Sequence, residues 1–526
     1  MYKPLNVASQ TRGLNTTSLM AKSGLNLRDL PQLLSPENAL IIKNYLITAE
    51  GGLEKRKGIE ELLDTATGVA INMLVKWTDD IYVIGYGTTV ATYTISTDTI
   101  ANIKVNFSAN TGFQGVRYGA YFFVCNGVDR IWRMDTAAFT LTEIAASPRP
   151  KVLKAIDTRL FAGNLTTNTT AVQYSEVDDG TNPPFTAWSS ATTATSGGEI
   201  FYRNAGDVNV IENLGNVIIV GADDGKWAFT IDTIDSAGTL TKIDNTVMYR
   251  LDAGMKASLQ TDEGVFYVNS QGLWQLVSVG QSDIAYSDQE ALISEKLGDN
   301  YFNDAVFDDA TLVKDDKTNQ LFVSYREDSS LNNQILVYNT QLKAFATFTG
   351  LNINRFMNDE GTMFGSSSTN GKVWEFLTGN DDDGSDIWYE FEQELSVGQL
   401  WTRKELLGQY IQGELSPTTA PLVKFSIYDR SGTFIADKLE LQWNFGTSGL
   451  SAKGYGESSW GDPFGGDIDF AGTAENFAGG KYRIKNFQRI RVNISGHDKA
   501  AHTVNWLSLL TREKVNIRRR NLVNVT

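Results

Sequence analysis

At 526 residues the chain is long for one compact domain, and its 41% apolar content supplies core enough for two or three. A net charge of −16 argues against a protein that grips nucleic acid, because non-specific binding rests on Lys and Arg neutralising phosphates. It does not exclude a wall that DNA passes without sticking. The single Cys, Cys125, excludes an intrachain disulfide framework. Aromatic, Thr and Asn side chains are plentiful and Pro is scarce, a balance that favours antiparallel strands. The N-terminus has no apolar h-region, which predicts synthesis in the cytoplasm without a secretory leader. The apolar runs are strand-sized, so no membrane span is predicted.

Residues 1–60 read as an arm, a short helix and a hairpin. The first thirty or so are polar with isolated Leu residues, as in an extended arm laid on another surface. Ser35-Pro36-Glu37-Asn38 carries the signals of a helix start: Ser as N-cap, Pro at the first position, an acidic residue in the first turn. Gly51-Gly52 then turns the chain into the basic cluster Leu53-Glu-Lys55-Arg56-Lys-Gly58, read on its own as a solvated hairpin.

From residue 61 to 385 a small meander recurs. Its clearest copy is 121–144, where Tyr121 to Val124 meets Asn126-Gly127, a second strand follows to Met134, and a third starts at Phe139. Asn-Gly between apolar runs supplies the positive φ angles of a tight turn. Further copies fall at 81–97, 217–233 and 321–348, with weaker ones starting at Leu160, Val265 and Met363. Seven candidates spaced by roughly forty to sixty residues mark a repeat of small sheets. Each sheet has two apolar faces that only a neighbour can cover, so a radial arrangement, a β-propeller, is predicted. A loop insertion is expected around 164–215, where Thr166 to Thr170 and Thr186 to Gly198 are Thr-, Ser- and Ala-rich. Asn380-Asp-Asp-Asp-Gly384 reads as an acidic linker. Residues 386–526 read as a β-sandwich, with strands at 387–395, 400–406, 423–428, 482–494 and 504–510. A Gly-rich insertion spans 446–480 and Arg518 to Arg520 make a basic tail. The fold class predicted is therefore all-β.

The chain holds little that reads as chemistry. His497 and His502 have no Cys or second His pair to complete a zinc set, and they read as surface or loop histidines. No Gly-x-Ser-x-Gly elbow, phosphate loop or His-Glu-x-x-His motif occurs. Ser175-Glu-Val-Asp178-Asp-Gly180 with Trp188 approaches the Ser-x-Asp-x-Gly-x-x-Trp turn of sugar-cleaving propellers, but its spacing is wrong and it reads as a polar turn. A calcium loop over 381–390 would use Asp381, Asp383 and Glu390 but would need Gly379 as its first ligand, so a solvated linker is preferred. No metal, no cofactor and no enzyme activity is predicted.

Two stretches resemble a known family. Leu30-Pro31 … Ser35-Pro36-Glu37-Asn38-Ala39 … Lys43-Asn44 … Gly51-Gly52-Leu53-Glu54-Lys55-Arg56-Lys57-Gly58 is similar to the opening of short-tailed bacteriophage tail hub and nozzle proteins, the packaged-DNA stabilisation and tail tubular B types. Val172-Gln-Tyr-Ser175 … Asp179-Gly180-Thr-Asn-Pro183 … Trp188 is similar to a turn inside the propeller of the same proteins, with an extra Thr181. The resemblance implies a structural virion protein with no enzyme activity, forming a six-fold ring below the portal adaptor. That ring would extend or close the DNA channel and carry tail fibre, spike or needle proteins. Pro31, Lys43, Asn44, Lys55 and Arg56 are then candidates for an interface with the adaptor or the next protomer. Two rivals remain: a carbohydrate-depolymerising propeller, which needs a converging carboxylate pair, and a receptor reader using Tyr455, Trp460 and Phe464.

Overall fold

The computed structural model describes residues 14–514, apart from short breaks and the longer stretches 189–196, 231–253, 396–402 and 443–475. The chain is all-β: among the described residues there are many short strands, three single 3-10 turns and no α-helix.

Seven small antiparallel sheets follow one another between residues 59 and 376. Sheet I spans 71–104, sheet II 114–143, sheet III 150–201, sheet IV 208–230, sheet V 257–292, sheet VI 305–349 and sheet VII 353–376. Each is a meander, and sheet IV has three described strands where the others have four. The first strand of every sheet touches the first strand of the next, and that of sheet VII touches that of sheet I. The succession therefore closes on itself.

Strand alternation explains how each sheet serves two neighbours. Successive side chains point to opposite faces. In Tyr121–Cys125, Phe122 and Val124 pack with Met73 and Val83 of sheet I, whereas Phe123 and Cys125 pack with Leu153 and Leu160 of sheet III. In Val217–Ala222, Ile218 and Val220 join Phe161 and Val172 of sheet III, whereas Val217 and Ile219 join Val265 and Tyr267 of sheet V. These runs read as unbroken apolar stretches because both faces are covered. Cys125 is fully enclosed there, and burial pushes its thiol up to about 12.

The N-terminal residues do not form the expected helix. Asn38–Ala39, Ile41–Lys43 and Tyr45–Ile47 are short strands, and Asn44 between the last two has φ of 57°. The cap signals at Ser35 lose because Ile41 and Ile42 are β-branched and an open sheet edge waits on either side of them, so tertiary pairing overrides a weak local preference. The arm is also used within the chain: Leu14–Leu19 runs antiparallel to this chain's own Leu507 to Arg512, and Gly24–Leu25 pairs with Asn38–Ala39.

Four pieces of this segment stitch the molecule. Ile59–Asp64 pairs with Lys372–Phe376 as the fourth strand of sheet VII, so the two ends of the ring meet in one sheet. Ile41–Lys43 lies between Ala344–Thr349 of sheet VI and Ile387–Leu395, extending sheet VI into a nine-stranded sheet through Arg489–Asp498, Leu422–Tyr428 and Phe434–Gln442. The hairpin Tyr45–Ile47 and Leu53–Lys55 continues a second C-terminal sheet beside His502–Lys514 and Arg403–Leu415. Leu14–Leu19 pairs with the same strand, His502–Lys514.

Two loop expectations need correction. Thr166 and Thr167 form the tight turn of the hairpin Arg159–Leu165 and Asn168–Tyr174, because the Thr166 hydroxyl bonds the Gly127 and Arg149 carbonyls at 2.8 and 3.1 Å. The stretch 380–384 is not a free linker, since Asp381 accepts the Ile59 amide at 3.0 Å and Asp382 bridges to Ser385. Most of the Gly-rich insertion, with Tyr455, Trp460 and Phe464, lies outside the described residues, as do Arg518 to Arg520.

Candidate functional site

A cluster of buried polar groups lies at the seam where sheets VI and VII, the N-terminal hairpin and the C-terminal sheets meet. Gly58 makes the seam possible. A Cβ there would sit 1.6 Å from the Asp381 carbonyl oxygen, so no other residue lets the two backbones approach. Arg56, just before it, is fully buried. Its guanidinium grips the Asp382 carboxylate with two bonds of 2.7 and 2.5 Å, and its Nε donates to Asn44 Oδ1 at 2.8 Å. Asn44 in turn donates from Nδ2 to the Trp388 carbonyl at 2.6 Å and accepts the Thr349 amide at 3.0 Å. One Arg–Asn relay thus ties the hairpin to sheet VI, to the 380–384 turn and to the first C-terminal strand.

Lys55 points the other way. Its ammonium bonds Asp498 Oδ1 at 3.0 Å and the Asp498 and Ala500 carbonyls at 2.5 and 2.9 Å. Burial pulls its pKa down, against the bond to Asp498. Asp498 also accepts the Tyr389 hydroxyl at 2.8 Å, and the Tyr389 ring packs on His502 at 4.3 Å between centroids. The Tyr45 hydroxyl lies 2.8 Å from His502 Nε2, while His502 Nδ1 is buried with no hydrogen-bond partner. Burial holds His502 down at about 4 and raises the Tyr45 and Tyr389 hydroxyls. At neutral pH the imidazole is uncharged.

Of the residues expected to dock a partner, Lys55 and Arg56 are therefore enclosed by their own chain and are not a solvated hairpin face. Asn44 is buried with them. Pro31 opens a short 3-10 turn. Lys43 is the accessible member, with its side chain 39% exposed, 3.8 Å from Glu390 and over the Trp388 ring at 5.2 Å. His502 is likewise not a surface histidine, whereas His497 is exposed beside Asp386 at 3.7 Å.

Between the seam and the rim of sheet VII lies an open cleft of about 590 Å³. Trp374 and Trp388 line it, together with Asn352, Asn370, Ser385 and Asp386. Trp388 is 41% exposed, while Trp374 is buried with its indole N–H 3.4 Å from Asp383. The lining presents the Trp388 ring, amides and hydroxyls to the open space. It was not foreseen, because its residues come from four separate strands and the turns between them and share no motif.

The motif-like turns are structural. Ser175 is fully buried and its hydroxyl accepts the Leu160 amide at 3.0 Å. Glu176 accepts the amides of Thr186 and Ala187, both at 2.9 Å, and Trp188 packs in the core between sheets II and III. Residues 181–183 lie outside the described chain. The carboxylates of the calcium reading are engaged separately: Asp383 by Lys372 at 2.8 Å and Glu390 by Asn493 at 2.9 Å. Among the described residues no group of three or more His, Cys, Asp or Glu side chains is placed to hold a metal ion.

No family model matches the chain, and no curated protein does. Solved structures that align with it include a computationally designed protein called Ika8, at 9% identity and a TM-score of 0.38, over 61% of this chain and 100% of that one. A chain of a mitotic checkpoint complex aligns at 10% identity and 0.41, over 61% of this chain and 96% of its own. The extracellular domain of a one-component system from B. thetaiotaomicron aligns at 13% and 0.42, over 64% of this chain and 45% of its own. Likeness of that degree carries no argument about function.

Proposed function

We propose that this protein is a structural subunit of a short-tailed phage tail, a hub or nozzle that assembles as a ring, six-fold by the resemblance, and lines the DNA channel. In this reading the seven sheets form a β-propeller and the nine-stranded sheet is half of a C-terminal sandwich. The observation that carries the proposal is the Leu30 to Gly58 segment. The residues that resemble the tail-protein opening are those that lock the ring to the C-terminal sheets, through Asn44, Arg56 and Gly58. A family motif spent on an internal joint suits a scaffold, since a part that bears load needs its pieces in one fixed relation. The net charge of −16 suits a lumen that must not trap DNA. Of the candidate interface residues, Lys43 keeps a side chain 39% exposed with which to meet an adaptor or a second copy.

The test is the mass of the purified chain, alone and mixed with a portal adaptor protein. A closed ring, formed alone or on the adaptor, supports the reading. A chain that stays monomeric with the adaptor, or that releases reducing ends from host polysaccharide, contradicts it.

A further inference from the structure

We propose that the cleft between sheet VII and the first C-terminal strand is a binding site for a neutral saccharide. The proposal stands apart from the tail-subunit reading, since the cleft is built within one chain. Its floor is fixed. Trp388 sits on Ile387–Leu395, held on one side by the partner strand at His497 and on the other by the Asn44 bond to its carbonyl at 2.6 Å. The strand held this way fixes the position of Trp388, and its indole, 41% exposed, offers a stacking surface for a pyranose ring.

Polar groups face the same space with bonding capacity in hand. Among the described residues the Asn352 amide and the Ser385 hydroxyl make no side-chain hydrogen bond, and Asn370 uses only its Oδ1, for the Lys372 amide at 3.1 Å. Amides and hydroxyls that both donate and accept are the chemistry that pairs with sugar hydroxyls. Asp386 adds an acceptor with no Lys or Arg ion pair among the described residues.

Charge selects within that class. Among the described lining residues the guanidinium of Arg56 is taken by Asp382, and Asp383 is neutralised by Lys372, while Lys43 beside Trp388 is paired with Glu390 at 3.8 Å, so an acidic ligand meets no unpaired cation in the lining and Asp386 repels it. A cationic ligand fits poorly as well. Lys43 already lies over the Trp388 ring at 5.2 Å, and a quaternary ammonium would leave the amides of Asn352 and Asn370 unused. A neutral polyol on an indole satisfies both conditions.

The full chain is to be tested on a glycan array carrying neutral hexose and N-acetylhexosamine glycans beside sialylated and uronate-containing ones. Binding confined to neutral glycans is expected, weakened by about tenfold or more in Trp388→Ala and several-fold in Asn352→Ala. Thermal unfolding of Asn352→Ala should match the parent, so that variant decides the matter if Trp388→Ala fails to fold. A parent chain that binds nothing on the array, one that prefers acidic glycans, or an Asn352→Ala variant that keeps parental affinity each overturns the proposal. None of these outcomes bears on whether the chain assembles into rings.

Discussion

The joints within the ring and the joint at the seam are built from different materials. Sheets I to IV meet largely through apolar side chains that alternate along each strand, as Phe122 and Phe123 do in opposite directions. At the seam buried charges are added: Arg56 with Asp382 and Lys55 with Asp498, where the Arg56 and Lys55 side chains are 0% and 1% exposed. Ion pairs also cross several ring joints beside the apolar packing: Lys226 meets Glu290 beside the Tyr267 hydroxyl, Lys154 meets Glu212 at 2.5 Å, Lys314 meets Glu263 at 2.9 Å and Lys76 meets Asp359 at 2.6 Å. Apolar packing is non-directional and suits a contact repeated around a ring. Buried ion pairs cost desolvation and tolerate one geometry. They therefore suit a seam assembled from strands of two or three residues that must meet partners more than three hundred positions away.

Substituting the same residue type in both regions breaks this comparison open most sharply. Gly58→Ala is expected to cost more than about 4 kcal/mol or to prevent folding, because its Cβ would meet the Asp381 backbone at 1.6 Å. Gly163→Ala in the ring meets a side-chain methyl of the buried Val208 at 2.7 Å, not backbone, and should cost about 1–3 kcal/mol. Denaturant unfolding of both variants checks the order. Arg56→Leu should cost about 3–5 kcal/mol, since it leaves Asp382 and Asn44 without their partner. Adding Asp382→Leu should recover part of that loss, and strict additivity of the two changes would contradict a coupled pair.

The pH dependence gives the next effect. His502 titrates at about 4 when folded against roughly 6.5 in an unfolded chain, so between those values the unfolded state binds the extra proton. Stability should fall by about 3 kcal/mol as pH drops through that window and change no further below it on this account. His502→Gln should flatten the difference curve between variant and parent, measured by urea titrations at several pH values. Smaller still, Ile219→Val between sheets IV and V should cost about 0.5–1.5 kcal/mol. Arg28→Ala, whose salt bridge with Glu295 is 56% and 62% exposed, should shift stability by less than about 1 kcal/mol.

What could be read in advance follows the same division. The strands of the ring announce themselves because apolar runs of five or six residues end at turn residues, as at Tyr121–Cys125 and Val217–Ala222. Ile387–Leu395 was legible to its ends for the same reason. The stitching strands were not, since Ile41–Lys43 is too short to show a period and its neighbours are Thr347 and Glu390. Lys55 and Arg56 looked like a solvated cluster because their counter-charges lie 443 and 326 positions away. His502 looked superficial because nothing local reveals Tyr45 and Tyr389 closing over it. The cleft has no linear signature at all.

The central structural claim is that residues 41–64 are part of the folded frame and not an arm docked on it. Amide hydrogen exchange across the whole chain tests this most directly. Glu60 to Asp64 and Ile41 to Lys43 are predicted to exchange as slowly as Phe122 to Val124, at rates set by global unfolding. Exchange of those N-terminal amides within seconds, while the ring strands stay protected, would contradict it.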